Sequence, residues 1–159
     1  MTNDNRPAAV HWVLVADASR ARLFASDLLF DALEPLDDRV HPASRMPVHE
    51  LVSGARGAEQ AAVSGVHTRY ERHTDPHDAT VEAFARELAA VVCTAHAAHR
   101  FDRLVVIAPP QFLGVLRAHL DPATARAVIA DISHEWTQLP LEELTERTRA
   151  AVTARHVRP

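Results

Sequence analysis

The chain of 159 residues has the length of one domain and excludes two full catalytic domains. It carries 21 acidic against 17 basic residues, a net charge of -4, and every basic residue is an arginine, which excludes a Schiff-base lysine and a phosphate-loop lysine. A single cysteine, Cys93, excludes an internal disulfide and a thiolate zinc cage and fits a reducing cytoplasm.

Hydrophobic residues make up 47% of the chain, an ordinary supply for a domain of this size, which buries roughly 70% of its unfolded surface. Met1 to Pro7 lack the apolar core of an export signal. Apolar runs such as Leu88 to Ala95 fall far short of the ~20 residues of a membrane span, so the expectation is a soluble cytoplasmic protein.

Val10 to Ala16 is an apolar run with β-branched residues and no helical spacing, which reads as a buried central strand. After a turn at Asp17 to Arg20, Arg20 to Ala25 reads as a strand hairpinned onto the first, and Phe30 to Leu36 as a third. Asp27, Asp31, Glu34, Asp37 and Asp38 predict a solvated, negative edge there. Arg39 to Thr74 has no sustained period and is punctuated by Pro42, Pro47, Gly54, Gly57 and Gly65. It reads as a long basic loop within a single domain, since five arginines there face three glutamates, and loops of this length are functional or mobile.

Asp75-Pro76-His77-Asp78 is a helix start: Asp75 suits the cap, Pro76 the first turn and Asp78 the dipole. The helix is expected to run to about His99, with Val81, Phe84, Ala85, Leu88, Val91, Val92 and Ala95 as its buried stripe. Arg103 to Ala108 reads as a second buried strand, stopped by Pro109-Pro110 and laid parallel to the first by the crossover. Gln111 to Leu120 suits a short helix, Asp121-Pro122 starts another turn, and Val128 to Trp136 holds a last strand. Leu141 to about Val152 closes the chain as a helix with Leu141, Leu144 and Val152 inside. The order strand-strand-strand-helix-strand-helix-strand-helix is an α/β plan with a mixed sheet, and it is the element order of the ribonuclease-H-like fold.

That order invites a metal-dependent nuclease, with carboxylates holding metal ions across a phosphate. Asp17 and Glu82 or Glu87 would supply two ligands, but the next core strand ends Ala108-Pro109-Pro110. The plain reading, Asp17 in a turn and the glutamates solvated, is preferred. Among the 11 histidines, His67, His73 and His77 with Asp75 and Asp78 form the densest group, a weak zinc candidate beside the default of surface histidines. No metal or other cofactor is expected. Ser133-His134-Glu135 contains triad residue types, but strand neighbours point to opposite faces. Cys93 and His96 are one helical turn apart, where an inert cysteine is the plainer reading. Gly54-Ala55-Arg56-Gly57 resembles a weak phosphate loop, and Arg69-Tyr70-Glu71-Arg72-His73 interleaves a stacking ring with guanidinium groups as RNA contacts do.

Trp12 to Asp17, Arg20 to Phe24, His41 to Arg45, Phe84 to Leu88 and, most specifically, Leu104 to Arg117 resemble the bacterial host-attachment protein family. The resemblance implies a role in attaching bacteria to host cells and a fold related to the middle domain of archaeal and eukaryotic peptide chain release factors. It further implies a noncatalytic association with the ribosome or tRNA, because this chain lacks the Gly-Gly-Gln of the release factors: its glycine loop continues Gly57-Ala58-Glu59-Gln60. The leading expectation is accordingly a noncatalytic factor at the translation machinery. Arg20 and Arg22 would contact phosphate, Arg56 would reach the partner, Tyr70 would stack, and Arg69, Arg72 and Arg117 would complete one electropositive surface. The alternative is a protein-interaction module acting indirectly in attachment, with contacts insensitive to salt.

Overall fold

The computed structural model describes residues 9–41 and 76–156. Among the described residues five strands and four helices follow one another as β1 (His11–Ala16), β2 (Arg20–Ser26), β3 (Leu33–Val40), α1 (Pro76–Ala97), β4 (Arg103–Ile107), α2 (Pro110–Ala118), α3 (Pro122–Ala127), β5 (Val128–Ile132) and α4 (Leu141–His156). The sheet order is β3-β2-β1-β4-β5. β1, β2 and β3 pair antiparallel, while β4 and β5 join β1 in parallel. This is the mixed α/β sheet of the ribonuclease-H-like plan, with β1 and β4 at its centre.

The alternation of side chains along β1 divides the core into two layers. Trp12, Leu14 and Ala16 pack with Phe84, Leu88 and Val92 of α1 and with Phe112 and Leu116 of α2. Val13 and Val15 face the other way, onto Phe24, Leu144 and Val152. Both faces of β1 and β4 are covered, which is why their sequences read as unbroken apolar runs.

Local chemistry sets the ends of the helices. Asp121 caps α3 by accepting the Thr124 N–H at 2.7 Å. The α1 C-terminus closes with N–H donation from Arg100 to Ala95 O and from His99 to His96 O, both 3.0 Å, a Schellman closure with His99 at φ 56°. The expected cap Asp75 lies outside the described residues.

Two strand boundaries and one burial assignment depart from expectation. β3 begins at Leu33 rather than Phe30, because Phe30 sits at φ 56° in the turn and stacks on His11 with ring centroids 5.0 Å apart. β5 ends at Ile132, and His134 instead stacks on Trp136. Leu141, expected inside, is 39% exposed, because Leu144 and Val152 set the buried phase of α4. No helix among the described residues is long and apolar enough to cross a membrane.

Candidate functional site

At the carboxyl ends of β1 and β4 the chain turns away in different directions, into the β1–β2 hairpin and into α2. In mixed and parallel sheets such ends leave a crevice. Here it is an open cleft of about 960 Å³ between the Asp17–Ser19 turn, the first turns of α1, Pro109-Pro110 with α2, and Glu135. Ala18, Val81, Phe112 and Val115 give it an apolar floor, and Asp78, Glu82 and Glu135 line its rim.

Asp17 belongs to the scaffold. Its Oδ1 accepts the N–H groups of Ser19 and Arg20, both at 2.8 Å, and the Ser19 hydroxyl at 3.0 Å. Its Oδ2 accepts the hydroxyl of the fully buried Thr137 at 2.5 Å. Burial pushes this carboxyl up, but the bond from Thr137 and those from Ser19 and Arg20 together outweigh it and hold the group below the usual carboxylate range. A carboxylate with both oxygens engaged serves as an anchor for the turn, and not as a free metal ligand or base. Glu87, the other nuclease candidate, is held by Arg39 at 2.8 Å. Glu82 lies 3.4 Å from His119 Nε2 and 3.7 Å from Arg86. Among the described residues no three His, Cys, Asp or Glu side chains are grouped to hold a metal ion.

Asp78 and Glu135, on α1 and before α4, are exposed and make no ion pair among the described residues. Among the described residues no arginine lines the cleft, and the basic lining residue is His119. Above the floor, the α2 cap residue Pro109 supplies no side-chain acceptor, and Pro110 has no N–H, so the first free donors of α2 belong to Gln111 and Phe112.

The arginines singled out in the sequence that lie among the described residues, Arg20, Arg22 and Arg117, each have an intramolecular partner. Arg20 makes a two-pronged contact with Asp38 on β3, at 3.2 and 2.8 Å, and that bond raises its guanidinium pKa while lowering the Asp38 carboxyl. Arg22 donates to the carbonyls of Leu139 at 2.7 Å and Thr137 at 3.4 Å and lies over the Phe24 ring. Burial, and then the charge of Arg20, lower its pKa. Arg117 faces Asp131 on β5 at 3.6 Å. β3 and β5 are opposite edges of the sheet, so Arg20 and Arg117 lie on opposite sides of the domain. Arg56, Arg69, Tyr70, Arg72, His67 and His73 lie outside the described residues, whereas His77 is half-buried in the first turn of α1.

Cys93 Sγ accepts the Asp121 N–H at 3.4 Å, and His96 lies against Phe101. Sequence reasoning took Asp78 as a dipole partner, Glu82 as a ligand candidate and Glu135 as part of a false triad. Their shared rim follows from strand order, for which no local motif exists.

The family model described as "Protein required for attachment to host cells" matches residues 12–148, and the chain belongs to that family. No curated protein matches the sequence. Among solved structures, an archaeal translation termination factor, aRF1, is similar at 12% identity and a TM-score of 0.47, over 92% of this chain and 39% of that one. Pelota of Archaeoglobus fulgidus is similar at 12% identity and a TM-score of 0.41, over 97% of this chain and 39% of that one. A PilM–PilN type IV pilus biogenesis complex is similar at 18% identity and a TM-score of 0.40, over 96% of this chain and 47% of that one. This chain spans less than half the length of each.

Proposed function

We propose that this attachment-family protein is a noncatalytic binding module that serves attachment through contact with a protein partner. The observation that carries the reading is the engagement of the charged groups that other functions would need. Arg20, Arg22 and Arg117, the described candidates for phosphate contact, are each held by an intramolecular partner, and Asp17, the candidate for metal chemistry, accepts four hydrogen bonds. Among the described residues the cleft at the ends of β1 and β4 is apolar with a carboxylate rim, which repels a polyanion. The ribosome- or tRNA-associated reading then rests on Arg56, Arg69, Tyr70 and Arg72.

The two readings separate in one experiment. In a strain lacking the chain, a tagged copy that restores attachment to host cells is purified at rising salt, with and without ribonuclease. A defined protein complex that survives both treatments is the expected result, because phosphate contacts weaken steeply with salt and apolar contacts do not. Ribosomal or transfer RNA in the purified material, lost as salt rises and reduced by Arg56→Ala, would overturn the proposal in favour of the translation machinery.

A further inference from the structure

We infer that the cleft at the ends of β1 and β4 takes an extended segment of the protein partner that presents an arginine or lysine beside an apolar side chain. The inference deepens the protein-partner reading and rests on it. Its first support is shape: about 960 Å³ of open space runs between α1, α2 and the Asp17 turn, over an apolar floor. Desolvating the half-buried Ala18, Val81 and Val115 under an apolar side chain supplies attraction without demanding charge.

The second support is charge complementarity. Asp78, Glu82 and Glu135 come from two separate parts of the chain to one rim, and Asp78 and Glu135 have no ion partner among the described residues. An incoming guanidinium or ammonium group meets Asp78 and Glu135 there without having to displace an arginine of the described residues. Glu82 is shared with Arg86 and His119, at 3.7 and 3.4 Å, so it contributes less than the other two.

The free N–H groups of Gln111 and Phe112 discriminate between ligand types. A helix start ordinarily favours an anion, but three carboxylates around this one oppose a phosphate or a carboxylate ligand. A peptide resolves the conflict, since its neutral carbonyl can accept from the helix start while its cationic side chain faces the rim.

The probe is a labelled peptide in which arginine alternates with leucine, compared with the same peptide carrying citrulline or glutamate in place of arginine. Binding to the full chain is read by fluorescence anisotropy. The arginine peptide is expected to bind at least tenfold tighter than the citrulline peptide and the glutamate peptide weakest. A variant combining Asp78→Asn, Glu82→Gln and Glu135→Gln should remove that tenfold preference, and because all three side chains are exposed it keeps the fold. Gly114→Trp is the second variant: a Cβ at Gly114 meets no atom within 4 Å, so the ring enters the cleft and should abolish binding of the arginine peptide. Equal affinity for arginine and citrulline peptides, or binding unchanged in both variants, would overturn the inference. If the partner complex from cells persists in the triple variant and in Gly114→Trp, the cleft assignment fails while the noncatalytic reading stands. If only RNA is recovered, the reading itself fails.

Discussion

The cleft has one carboxylate set into its otherwise apolar floor, Asp17, and others on its rim, and the protein treats them oppositely. Asp17 is buried and accepts four hydrogen bonds from the turn it organises and from Thr137, 120 residues away. Asp78 and Glu135 stand in solvent within the same depression. The position of an acid at a strand end therefore does not identify it as chemical machinery, because the number of donors already committed to it decides what it can do. The same lesson holds for the arginines: Arg22 points inward to carbonyl groups and acts as a strut between β2 and the segment before α4.

The sharpest way to break this comparison is to remove the floor acid. Asp17→Ala leaves the buried Thr137 hydroxyl and the Ser19 and Arg20 N–H groups without their acceptor, and is expected to cost about 3 kcal/mol, measured by urea unfolding. Glu135→Gln, a change of the same kind on the rim, should stay within about 0.5 kcal/mol of the parent. If the two lose equal stability, the division between floor and rim is wrong.

Acid titration sharpens the same point. The folded Asp17 carboxyl lies below its ordinary value of 3.8, so its contribution is complete above that value and is lost as pH falls through the lower, folded one. The unfolded state takes up the proton first. Asp17→Asn should therefore flatten the acid limb of the stability curve below about pH 4.

Arg22 comes next in size. Replacing it with Met keeps much of the apolar stem over Phe24 and deletes the donors to Thr137 O and Leu139 O. A loss of about 1–2 kcal/mol is expected, independent of added RNA. A variant with unchanged stability but weakened RNA binding would return Arg22 to the role expected of it from sequence.

The contrast also explains what could be read from residues alone. β1 and β4 were legible because strands covered on both faces are apolar throughout, and α1 because its stripe repeats with helical spacing. β3 was displaced in the reading because Phe30, an apolar residue inside the Asp27–Asp31 turn, is used to cover His11, and the strand itself is an exposed edge with a register shift opposite Leu23 and Phe24. The donor to Asp17 Oδ2 could not be read at all, since Thr137 lies in an irregular segment and carries no motif. Nor could the rim, where Glu135 joins Asp78 and Glu82 only through the docking of β5 beside β4.

The smallest expected effect tests the wall between floor and rim. Gly114 lies within α2 and is exposed, no glycine among the described residues has positive φ, and an added Cβ there meets nothing within 4 Å. Its backbone therefore has no need of glycine's freedom, and Gly114→Ala should stabilise the protein by about 0.5–1 kcal/mol through helix propensity alone. One methyl group occupies little of the cleft, so the arginine peptide should bind the Ala variant nearly as it binds the parent and fail on Gly114→Trp. Calorimetric unfolding and anisotropy on the same two variants separate the cases. Binding that falls already with alanine would place the ligand in direct contact with α2 at this position, and an absent gain in stability would mean that α2 is held by Phe112 and Leu116 so firmly that its own propensity no longer matters.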